Sequence, residues 1–126
     1  MEDALHDLKE GHYDLAAFHS EQAVQLYLKA MILRLSGEER RGHEIRELLA
    51  ELAFSLELEG FNEQAEKLKE LARRYRRGLK ELEEAYYEAR YKPIPYKREE
   101  AEELVQVAEE VVKRLEELEG ELWPSP

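Results

Sequence analysis

"FNEQAEKLKELARRYRRGLKELEEAYYEA", residues 61–89, carries the most regular pattern in the chain. Phe61, Ala65, Leu68, Ala72, Tyr75, Leu79, Leu82, Tyr86 and Ala89 follow one another in alternating steps of four and three. That is a heptad seam, the spacing that keeps one narrow apolar stripe facing a partner helix. It predicts a single long helix, weakened locally only at Gly78. After the proline-containing break "EARYKPIPYKREE", residues 88–100, the seam resumes with Ala101, Leu104, Ala108, Val111, Leu115, Leu118 and Leu122. Two long helices with matching stripes and a short proline loop between them are expected to pack antiparallel at a shallow angle.

Toward the N-terminus the same logic holds. Leu5 and Leu8 predict a short amphipathic helix before Gly11. A second helix is expected from about Asp14, a candidate N-cap, to Ser36, with Gly37 as its C-terminal stop. The loop "GEERRGH" follows, and then Ile45, Leu48, Leu49, Leu52, Ala53 and Leu56 fall on one helical face ahead of Gly60. Strand-like alternation is absent throughout the sequence. The expected fold is all-α, an up-and-down antiparallel four-helix bundle with a short additional N-terminal helix, built from residues 1–126 as one domain.

The segment from Leu15 to Leu35 differs in kind, because its apolar residues leave almost no polar face. Such a helix needs cover all round. Either it is the central helix of the bundle, or a second copy of the chain covers the flank its neighbours leave open. The second arrangement, an isologous homodimer, is the expectation.

Bulk composition narrows the function classes. The chain has 126 residues, 43% hydrophobic and 39% charged, with a formal net charge of -11. A surface that tracks nucleic acid along its whole length is expected to be basic, so any polyanion site must be local. Cysteine is absent, which removes disulfides and thiolate metal sites and is compatible with a reducing cytoplasm. The acidic start "MEDALHDLKEG" is unlike a secretory signal. The most apolar run, "AVQLYLKAMILRL", contains Gln25, Lys29 and Arg34 and is too short and polar to span a bilayer. A cytoplasmic location and no membrane contact are expected. Dense Glu with Lys and Arg resembles thermophile composition.

Several stretches together resemble the HEPN domain family, small prokaryotic helical domains found alone or beside nucleotidyltransferases. "GHYDLAAFHSEQAVQLYLKAMIL", residues 11–33, is similar to that family's long second helix. "GHEIRELL", residues 42–49, resembles the His-containing start of its next helix. "ARYKPIPY" followed by "EEAEELVQVAEEVV" resembles its closing loop and last helix. The first helix is short for the family. The resemblance implies a nucleotide- or RNA-directed role and, as a partner, a small nucleotidyltransferase of the kind found in toxin–antitoxin modules. Members that cut RNA carry an arginine at the end of the penultimate helix and a histidine shortly after it. Arg90 matches that arginine, but Tyr96 stands where the histidine would be. None of His6, His12, His19 and His43 follows an arginine at the family's spacing. An unperturbed tyrosine titrates near ~10 and is a poor acid–base group at neutral pH. Metal-independent ribonuclease activity of the family type is therefore not expected; the alternative is a degenerate nuclease using Tyr96 or a more distant histidine.

The expected ligand site is the loop itself. Arg90 can grip a phosphate with its planar fork, and Tyr91 and Tyr96 can stack on a base or donate a hydroxyl. Lys97, with Lys92 and Arg98, adds positive charge beside the last helix's N-terminus. The competing reading makes the loop a stiffened turn, with Arg90 paired to a glutamate. A second candidate is "ARRYRRGLK", residues 72–80, where Arg73, Arg77 and Lys80 share one helical face and Arg74 and Arg76 flank it; the competing reading is a solvated face. No cofactor or metal is expected. His12 and His19 stand two turns apart, Glu21, Glu38 and Glu39 lack a ligand spacing, and Ser20 and Ser36 lack a neighbouring base.

Overall fold

The computed structural model describes residues 1–42, 44–91 and 96–125, with backbone alone for 89–91. Six helices account for its regular structure: α1 (Glu2–Lys9), α2 (Tyr13–Ser36), α3 (Ile45–Leu58), α4 (Asn62–Arg74), α5 (Arg76–Tyr91) and α6 (Arg98–Leu122). The all-α bundle with a short extra N-terminal helix is thus present. His43 and residues 92–95, including the two loop prolines, lie outside the described residues.

The apolar stripes pack as their spacing requires. All six stripe residues of α3 and all seven of α6 are buried. α2 ends at Gly37, whose left-handed φ of 76° lets its N–H bond Leu33 O at 2.8 Å. Its start is not capped as expected. The Asp14 carboxylate turns away from α2 and accepts the Tyr96 N–H at 2.7 Å, tying the start of α2 to the approach to α6. In α1, Ala4 and Asp7 are the buried positions and Leu5 faces outward, 41% exposed.

The long seam of residues 61–89 does not form one helix. It breaks at Tyr75 (φ −104°, ψ 19°), where Tyr75 N still bonds Leu71 O and Leu79 N bonds Tyr75 O. Two causes coincide there. Arg73, Arg74, Arg76 and Arg77 crowd four like charges into five positions, and the two halves have different partners. α4 lies mainly against α3, whereas α5 lies mainly against α2. Beyond the break the buried positions are Leu79, Leu82 and Ala85. At Gly78, α5 approaches α6 closely: a Cβ there would meet the two methyls of Val107 at 2.8 Å. The residue that weakens the seam is the one that permits the contact.

Direct contacts give the helix directions. Lys67 bonds Glu121 at 2.7 Å and Gly78 abuts Val107, so α4–α5 runs antiparallel to α6. Asp14 contacts Tyr96 and Tyr27 bonds Glu119 at 2.6 Å, so α2 and α6 run in the same sense. Sense therefore alternates through α1, α2, α4–α5 and α6. α3 starts beside α5 (Arg46–Glu83) and ends beside α4 (Glu57–Lys69), which gives it the sense of α2. The chain reaches it by leading back after Gly37, with Arg40 3.1 Å from Glu51. α2 is central, packed against α1, α3, α5 and α6. Leu15, Leu26 and Leu33 nevertheless remain 47–58% exposed along one stripe of α2.

Candidate ligand-binding site

The expected site lies at the end of α5 and the start of α6. Arg90 and Tyr91 belong to α5 by backbone, and their side chains, like Lys92, lie outside the described residues. Tyr96 and Lys97 are described. Lys97 is exposed and precedes α6, its N–H donating to Glu100 Oε1 at 2.9 Å, so one helix-start donor is satisfied within the chain. Arg98 is drawn sideways to Glu102 at 2.7 Å.

Tyr96 is half-buried in a cleft of about 320 Å³ between α5 and α6. Glu81, Glu84, Glu88, Glu100 and Glu103 line that cleft, with Arg77 at one end. The Tyr96 hydroxyl donates to Glu88, and burial together with this carboxylate-rich wall pushes its ionisation far above the ordinary tyrosine value. A phosphate brought against this hydroxyl would meet five carboxylates.

The basic island gathers more charge than its sequence suggests. Arg73 and Arg74 close α4, Arg76, Arg77 and Lys80 open α5, and the break at Tyr75 folds them around a cleft of about 450 Å³. Arg46 of α3 completes the lining; sequence reasoning missed it because it lies far away along the chain. Its guanidinium forks onto the buried Glu83 carboxylate (2.6 and 3.2 Å), an arrangement that keeps Arg46 firmly charged and joins α3 to α5. The alternation of basic residues on either side of Tyr75 was the available signal.

A buried polar group in α2 was also missed. Glu21 is fully buried, and its carboxylate accepts from Gln22 at 2.6 Å and from Gln25 at 2.7 Å. The i, i+4 spacing of Glu21 and Gln25 was the legible hint. His19 Nδ1 meets Asp7 of α1, pinning α1 to α2. His6 and His12 are exposed. Among the described residues no group of three or more His, Asp or Glu is arranged to hold a metal ion, and no helix is long and apolar enough to cross a membrane.

No curated protein and no solved structure matches this chain. The sequence model of one family, described as HEPN domain, matches residues 1–118, nearly the whole helical bundle. The chain belongs to the HEPN domain family.

Proposed function

We propose that this HEPN domain is a binding module that holds a nucleotide or an RNA phosphate at the turn before α6. Arg90 forks onto the phosphate, Tyr91 stacks on the base, Lys97 supplies a second cation, and Tyr96 anchors the turn through its ring and its bond to Glu88. The observation that carries this reading over a nuclease is the place of Tyr96, half-buried in a cleft lined by five glutamates. A tyrosine so placed is a poor acid–base group near neutral pH, so we read the position matching the family's histidine as an anchor of the turn rather than a proton carrier.

The same reading makes the chain a homodimer closed through α2. Leu15, Leu26 and Leu33 form an exposed leucine stripe on the most apolar helix, and exposed apolar stripes of this kind favour association. A nucleotidyltransferase encoded nearby is the second partner the family suggests, in a cytoplasmic module of toxin–antitoxin type. The alternative with its own observation is a protein-interaction domain in which that stripe is the whole function.

Thermal shift against a panel of nucleotides and short RNA tests the module. Stabilisation by short RNA that Arg90→Ala removes is the expected result; no Arg90-dependent shift with any ligand overturns it. Mixed RNA incubated with the protein should remain intact. Sedimentation that finds only monomer at high concentration removes the dimer.

A further inference from the structure

We infer a second ligand site, separate from the turn before α6: the cleft where α3, α4 and α5 meet takes a nucleoside polyphosphate. Six of the chain's 19 Lys and Arg residues converge there, although the chain carries a net charge of -11. They come from three helices, and among the described residues no carboxylate joins them in lining the cleft. Arg46 is committed to Glu83, and Arg73 and Arg77 make exposed contacts with Glu70 and Glu81 (2.8 and 3.2 Å). Such exposed pairs are weak, so a phosphate can displace those carboxylates. Arg74, Arg76 and Lys80 form no ion pair among the described residues; Arg74 lies over the Tyr75 ring, 5.5 Å from its centre. Like charges held this close repel, and a polyanion between them relieves the repulsion.

The charged cleft is continuous with an apolar one. Arg46 and Arg73 line both, and the neighbouring groove of about 360 Å³ is formed by Leu49, Ala50, Ala53, Phe54, Leu68 and Ala72, with Glu57 and Lys69 also present. Phe54 stands 63% exposed there and shares the groove with Ala50 and Ala53. A compact cluster of cations leading into one apolar groove with one exposed aromatic ring matches a ligand with concentrated negative charge at one end and a single flat base at the other. An RNA strand needs cations spread along a track and several stacking partners, which the cleft does not offer.

Calorimetric titration of the intact protein separates the sources of phosphate: ATP, GTP, ADP, AMP, inorganic triphosphate and a short single-stranded RNA. Affinity is expected to fall from tri- to di- to monophosphate and to weaken with salt. Arg76→Ala with Lys80→Ala should reduce triphosphate affinity by at least about tenfold, since charge-assisted contacts are lost. Both side chains are exposed, so helicity should be unchanged. Phe54→Ala should weaken ATP and leave inorganic triphosphate as before. Arg90→Ala should leave all of this intact. Nucleotide binding lost in Arg90→Ala but retained in the double variant overturns the second site while supporting the turn. Equal affinity of the double variant and wild type overturns it too, as does RNA binding that persists in Arg90→Ala and is tighter than any nucleotide.

Discussion

Two clefts meet on α5 and share Arg77, yet they are opposite in charge. Toward the start of the helix, Arg76, Arg77 and Lys80 face Arg46, Arg73 and Arg74. Toward its end, Glu81, Glu84 and Glu88 face Glu100 and Glu103 across Tyr96. Cations at a helix start and carboxylates further along oppose the macrodipole, so α5 carries a charge order that local helix stability disfavours. Net charge therefore says little about this surface. An acidic chain can keep a compact basic cleft directly beside a carboxylate-lined one.

The comparison breaks most readily at Gly78, which lies against Val107 of α6 next to Arg77, the residue both clefts share. Gly78→Ala improves helix propensity by about 1 kcal/mol. It also forces a methyl into the stiff, branched Val107 side chain, and overpacking costs about 1–3 kcal/mol. A net loss of stability in urea denaturation is expected, with recovery in the Gly78→Ala, Val107→Ala pair. A more stable single variant would mean that the close approach is not required.

Glu83 stabilises the fold and also restrains the basic cleft. It is 7% exposed, and Glu83→Gln should lower stability by about 1–3 kcal/mol through loss of its charged hydrogen bonds to Arg46. The freed guanidinium should at the same time raise affinity for inorganic triphosphate. Lower stability with lower triphosphate affinity would show that the ion pair positions the cleft rather than competing with it.

The acidic side can be sharpened by pH. Tyr27, bonded to Glu119, and Tyr96, bonded to Glu88, both have ionisation raised above the ordinary value, by burial first and by their carboxylates second. A raised folded value favours the neutral form, so this stabilisation is complete below about pH 10 and is lost as pH rises past it. In an alkaline titration, tyrosinate absorbance should show a late step that coincides with loss of helix and disappears in Tyr27→Phe, Tyr96→Phe. Ionisation of every tyrosine near pH 10 with the helices intact would refute the burial of these hydroxyls.

The smallest effect is expected at the shared residue. The Arg77 side chain is 94% exposed and pairs with Glu81 across one helical turn. Arg77→Ala should leave the unfolding midpoint unchanged and weaken triphosphate binding, because exposed pairs contribute little to stability. A clear drop in midpoint would assign Arg77 to the fold instead.

Helix faces were well forecast where apolar residues repeat over several turns. The stripes of α3 and α6 came out buried at every expected position, and Gly37 stopped α2 as its missing side chain allows. Short-range rules failed where a distant group competed. Asp14 has the chemistry of an N-cap but bonds Tyr96, and Leu5 looked like core but Ala4 and Asp7 occupy the buried face of α1. The seam of residues 61–89 predicted one helix because periodicity reports only which residues share a side. It carries no information about a change of partner midway, and that change is what bends the chain at Tyr75.

Spacing and residue type alone thus determine that the chain is helical, where most of its helices start and stop, and which of their faces turn inward, because these depend on backbone geometry and on neighbours a turn away. The meeting of Arg46 with Arg73–Lys80, the carboxylate wall around Tyr96 and the need for Gly78 were decided by the fold. Each depends on which helix surface lies within a few ångströms of another, a matter of close packing between segments far apart along the chain.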